Sequence, residues 1–107
     1  MTFTVNDTVW KLRFVNPRDK NLRRNDGSPC LGLCDNNLKT VFIADNQPPE
    51  KEEHILCHEL CHCICFEYGF LLDIELEEWL CNFMADHGKE IIYLVDDLLW
   101  NLKKRAV

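Results

Sequence analysis

The stretch from Pro48 to Gly69 constrains the fold more than any other part of the chain. Pro48-Pro49 followed by Glu50, Glu52 and Glu53 marks a helix start, because proline suits the first turn and carboxylates suit the positive end of the helix dipole. The helix is expected to run to Glu67 or Tyr68 and to stop at Gly69. Ile55, Leu56, Leu60, Ile64 and Phe66, with Cys57, Cys61, Cys63 and Cys65, occupy nearly every side of its wheel. A helix apolar all round belongs inside a fold, so the remaining elements must be arranged to cover it.

Upstream, Val9 to Val15 alternates apolar and charged side chains, the period of a strand with one buried face. Turn residues at Asn16-Pro17 and Asn25-Asp26-Gly27 make the following stretch a loop with at most one helical turn. Cys30 to Cys34 reads as a short strand, Asp35-Asn36-Asn37 as a hairpin turn, and Lys39 to Ala44 as the next strand. An antiparallel sheet of about three strands results. Downstream, one helix is expected from Ile74 to Asp86, with a break at His87-Gly88. Another, from Lys89 to Lys104, carries Ile91, Ile92, Val95, Leu98, Leu99 and Leu102 at helical spacing and is expected to cover the sheet or the first helix.

Composition narrows the class. At 107 residues and 47% hydrophobic content, residues 1–107 are expected to form one domain with one core. Met1 to Asn6 lacks a basic start and an apolar run, and no stretch approaches the roughly 20 apolar residues of a bilayer span, so neither secretion nor membrane insertion is expected. Seven cysteines, an odd number with four in one segment, fit a reducing compartment and a cytoplasmic setting better than a disulfide framework. A net charge of -6 argues against nucleic acid as a partner. Arg23-Arg24 and Lys103-Lys104-Arg105 are read as solvated charge.

Chemistry concentrates on His58-Glu59-Leu60-Cys61-His62. Two histidines four apart on a helix are separated by about 6 Å along the axis and about 40° around it, so both imidazoles reach one ion. Glu59 is placed to take a proton from an activated water as general base. One Zn2+ held this way needs a third protein donor and an open position. Of Glu75, Glu77 and Glu78, the last shares a helix face with Asn82 and is the expected ligand, with Asn82 orienting a ligand histidine. Glu75 and Glu77 are expected on a solvated face. Cys65, three residues after His62, is the competing donor, and Cys30 with Cys34 offers at best half of a structural zinc site. His54, Tyr68, His87 and Tyr93 are candidates for stabilising an oxyanion.

The same residues, His58-Glu59-Leu60-Cys61-His62, then Gly69, then Glu78-Trp79-Leu80-Cys81-Asn82-Phe83-Met84-Ala85, resemble the small gluzincins of the ImmA/IrrE type and their short phage and prophage relatives. The resemblance covers roughly Lys39 to His87 and implies His58, His62 and Glu78 as metal ligands, Glu59 as general base and Asn82 as a supporting residue. Cys81 departs from it, standing where the family pattern has a small alanine, and the chain has no room for the DNA-binding or sensor domains of longer relatives.

The expected architecture is therefore an α+β minimal zincin, with a short antiparallel sheet packed on an active-site helix and two further helices. The expected activity is that of a zinc metalloendopeptidase acting on a peptide or protein substrate in the cytosol, of a host cell if the chain is phage-encoded, with a regulatory protein as its target. An extended substrate is expected to add to the edge of the Lys39–Ala44 strand. The alternative is a non-catalytic zinc-binding interaction module. Elemental analysis and a Glu59→Gln variant separate these from a metal-free protein.

Overall fold

The computed structural model describes residues 1–105. Four strands, β1 (Thr2–Val5), β2 (Thr8–Val15), β3 (Gly32–Asp35) and β4 (Thr40–Ala44), precede two helices, α1 (Pro49–Glu67) and α2 (Ile74–Arg105). The strands form one sheet in the order β1-β2-β4-β3.

The sheet is mixed, not antiparallel. β1 and β2 form an antiparallel hairpin, β3 and β4 another, and β2 lies parallel to β4, with Lys11 opposite Thr40 and Val15 opposite Ala44. The cause is the connection from Asn16 to Leu31. It begins and ends at the same end of the sheet, where Leu31 O accepts from Ala44 N–H and Val15 O from Asp45 N–H. It crosses one strand position, so β3 runs back antiparallel and β4 inserts beside β2. β1 had no counterpart in the sequence reading. It pairs through Asn6 and Asp7, both with positive φ (47° and 66°), the backbone of a two-residue turn whose twist matches that of its strands.

β4 is central and buried along its whole length, as a strand covered on both faces requires. Its alternate residues feed two cores. Val41 and Ile43 join Trp10 and Cys63 beneath α1, whereas Phe42 and Ala44 join Val15 and Leu22 on the other face. Leu22 is fully buried there, so the 16–31 connection is a packed cover, closed on itself by Cys30 N–H donating to Leu22 O at 3.1 Å.

α1 begins at Pro49, with Glu50 and Glu52 in its first turn. It ends in a Schellman arrangement: Phe70 N–H donates to Cys65 O, Gly69 N–H donates to Phe66 O, and Gly69 takes the left-handed φ of 67°. Its far end is tied to the sheet by Glu67, whose Oε1 accepts from the Trp10 indole at 3.0 Å and from Lys39 Nζ at 2.7 Å. Burial is less complete than the wheel implied. Glu59, His62, Cys63 and Cys65 are buried, whereas Ile64 and Phe66 are 45% and 41% exposed, because the helix lies between the sheet and α2 and has its other sides open.

One further helix follows α1, not two. α2 runs through His87-Gly88 for 32 residues. A mid-helix glycine costs only about 1 kcal/mol, less than ending a helix whose apolar stripe keeps phase on both sides. Gly88 itself is buried, with the Met84 side chain of the preceding turn over it. The segment after it covers neither the sheet nor α1; Lys89 to Arg105 is exposed throughout, and the molecule measures 57 Å in its longest direction. Among the described residues, no helix is long and apolar enough to cross a membrane.

Candidate metal centre

His58 and His62 stand one turn apart on α1, and Glu78 reaches them from the first turns of α2. Glu78 Oε1 lies 2.8 Å from His62 Nε2, Glu78 Oε2 lies 3.2 Å from His58 Nε2, and the two Nε2 atoms are 3.2 Å apart. One ligand atom from each residue falls within 4.8 Å of the others. His58-Glu59-x-x-His62 and Glu78 thus form a clustered, spatially compatible zinc-binding motif of the gluzincin type. Bond lengths of about 2.0–2.1 Å in a tetrahedral zinc shell set donors roughly 3.3 Å apart, and the two imidazoles already meet that spacing.

The hydrogen bonding around His62 supports the fit. Its Nδ1 lies 2.6 Å from Glu77 Oε2, and both side chains are buried. An ionised carboxylate only accepts, so Nδ1 carries the proton and donates it to Glu77. In the neutral ring, Nε2 is then left with a lone pair aimed at Glu78 and His58. Three electron-pair donors converging with a proton directed elsewhere is an arrangement completed by a cation. Glu77 therefore sits where the sequence reading expected solvent. The helical spacing of apolar residues did not separate it from Glu75, which is exposed; the signal was its place beside Glu78, one position around the helix and toward α1. Asn82 lies one turn after Glu78, and its amide next to His58 favours the charged imidazole.

Glu59 is 8% exposed and lines the same cleft. Burial is the main influence on it and pushes its carboxyl up to about 7, while neighbouring His62 pulls the other way. That value suits a group that must both accept and release a proton near neutrality. His58 is pushed down, chiefly by burial, so it presents a neutral, ligating ring. The approach of Glu59 to the sheet depends on Gly32. A Cβ there would lie 2.6 Å from Ile55 Cγ2 and 3.0 Å from Glu59 Cγ and Oε2. The Cys34 backbone N–H meets the Glu59 carboxylate from the same strand.

The cleft has a volume of about 630 Å³, with the donor side chains and Glu59 on one side and β3 with the 20–25 loop on the other. β3 is the edge strand on this side of the sheet; β4, the expected edge, is interior. Arg23 and Arg24, read as solvated charge, line this cleft, and Arg24 is anchored through Ser28 Oγ and Pro29 O. Both remain exposed, as solvated charge at the rim of the cleft beside the buried Leu22.

The competing donors lie elsewhere. Cys65 is buried with its thiol beside Cys61 and Glu77, and burial pushes it up to about 11, so it stays protonated. Cys34 Sγ lies 3.3 Å from Cys63 Sγ, not from Cys30, and all seven cysteines are free. His54 pairs with Asp86 at 2.7 Å and His87 with Glu90 at 3.2 Å; neither they nor Tyr68 and Tyr93 line the cleft.

Compared with family models, curated proteins and solved structures, the chain matches none. What can be said of its chemistry rests on the geometry above.

Proposed function

We propose that this chain is a minimal zinc metallopeptidase in which His58, His62 and Glu78 hold one Zn2+ and Glu59 is the general base. The observation that carries the reading is the convergence of three donor atoms beside a buried carboxylate, in a cleft bordered by a free strand edge. When bound, zinc supplies Lewis-acid polarisation of a carbonyl and acidification of a water molecule. Glu59 takes the proton from the attacking water and returns it to the leaving amine nitrogen, so the peptide bond is replaced by a carboxylate and an amine with no covalent enzyme intermediate. Glu77 holds His62 in the tautomer that presents Nε2, and Asn82 supports His58.

An extended peptide adds to the outer edge of β3, which brings its backbone past Glu59. Arg23 and Arg24 favour a substrate with acidic side chains at that rim. The motif likeness to ImmA/IrrE-type gluzincins supports a phage or prophage setting and a regulatory protein as target, with residues 1–107 acting as one domain. Seven free cysteines support a reducing, cytoplasmic location.

A second reading is favoured by one observation: the donors come from both helices, so an ion there also fastens α2 to α1. In that reading zinc serves folding alone. Glu59→Gln separates the two. Under the peptidase reading, the variant keeps one equivalent of zinc by elemental analysis and loses at least a hundredfold in cleavage of an acidic peptide library. If the intact zinc protein cleaves no member of the library, the peptidase reading fails.

A further inference from the structure

The second half of α2 is an amphipathic rod that nothing among the described residues covers. Ile91, Ile92, Leu94, Val95, Leu98, Leu99 and Leu102 are each 45–60% exposed. At 100° per residue they fill an arc of about 160°, while Asp96, Asp97, Lys103 and Lys104 lie outside it. The arc continues the stripe on which Glu77 and Cys81 meet α1 and on which Gly88 is buried. It is bare because α1 has ended: the two helices are tied near the start of α1 by His54 to Asp86 and by Lys89 to Glu53, and α2 then runs on alone to Arg105.

We propose that this segment pairs antiparallel with the same segment of a second copy of the chain, about a two-fold axis between Leu99 and Trp100. Charge selects this occupant. Antiparallel helices bring the same flank of each helix together, and a pairing centred there sets Asp96 of each copy beside Lys103 of the other. It also brings the basic last turn of one α2, Lys103-Lys104-Arg105, up to the acidic first turn of the other copy's α1, Glu50 and Glu52. The negative end of one helix dipole then faces the positive end of the next. A parallel pairing in register has no such match, and it drives each partner helix into the space α1 already fills. Two stripes a little over three turns long bury at most on the order of 1,200 Å² together, the lower end of the range for specific interfaces. The partner helix takes up the stripe where α1 leaves it.

The test is sedimentation equilibrium on the full chain with zinc present. The expected result is a species of twice the 12.6 kDa chain mass. Leu98→Asp combined with Leu99→Asp is expected to give a monomer, with unchanged far-ultraviolet circular dichroism in the body of the protein and unchanged zinc stoichiometry. Lys103→Glu is expected to weaken association at least tenfold, and Asp96→Lys in the same chain to restore it. A wild-type monomer at tens of micromolar overturns the proposal, as does a dimer indifferent to the paired aspartates. A monomer that co-sediments with vesicles of anionic lipid also overturns it, assigning the stripe to a membrane surface instead.

Discussion

Replacing Glu77 tests the site without touching any atom proposed to hold the metal. Its carboxylate accepts the His62 Nδ1 proton at 2.6 Å, with both residues 7% exposed. Carboxylates that orient a ligand histidine are typically worth 10–100-fold in metal affinity, or about 1.4–2.7 kcal/mol at 1.36 kcal/mol per decade. Glu77→Gln retains an acceptor but loses the charge, so it is expected at the lower end of that range. Glu77→Ala removes the acceptor and leaves a buried N–H, adding about 1–3 kcal/mol of lost stability, and is expected at the upper end or beyond. Zinc affinity is read by competition with a chromophoric chelator, and stability by urea unfolding with saturating zinc. The graded order, wild type above Gln above Ala, is the signature of orientation through Nδ1. Equal affinity in all three, with His58→Ala still abolishing binding, would refute the reasoning, since His62 would then need no help in presenting Nε2.

Other consequences follow from neighbouring contacts. Gly32→Ala forces a Cβ against Ile55 and Glu59 and is expected to cost about 1–3 kcal/mol; peptidase turnover should fall more than zinc affinity, and unchanged turnover counts against the close β3–α1 approach. Cys65→Ala should leave zinc stoichiometry at one, because its thiol is not among the converging donors; loss of the ion by mass spectrometry would reinstate the sulfur ligand. Stripping zinc with a chelator should lower Tm, since zinc at a thousandfold its Kd stabilises by about 4 kcal/mol. A Tm indifferent to the chelator would deny the ion any part in holding α1 to α2.

Local signals carried the elements whose causes are local. Pro48-Pro49 and Gly69 bracket α1 because ring geometry and positive φ act within one turn, and the alternation from Val9 to Val15 and the run to Ala44 mark β2 and β4. The His58 and His62 pair was readable for the same reason, as helical spacing fixes which side chains share a face, whereas Glu78, on the other helix, was reached through the face it shares with Asn82 and through the motif likeness. What escaped depends on partners distant in the chain. Strand direction between β2 and β4 is decided by residues 16–31 crossing one strand position before β3 runs back, and the burial of Glu77 by which side of α2 meets α1. The course of α2 through Gly88 shows a weak local breaker overruled by the helix on either side of it. β1 was within reach, since Asn6-Asp7 between Thr-Phe-Thr-Val and Thr-Val-Trp is hairpin chemistry.

The unbroken course of α2 gives its far end mechanical leverage over the chemistry. Glu78 and Leu102 belong to one rod, so a torque applied at the tip is delivered to the carboxylate that completes the donor set. A side-chain atom stands roughly 6 Å from a helix axis, and a roll of about 10° moves it about 1 Å. Displacements of that size cost catalytic centres on the order of a hundredfold, so under the peptidase reading a partner that rolls the tip of this rod would reach the site about three quarters of its length away.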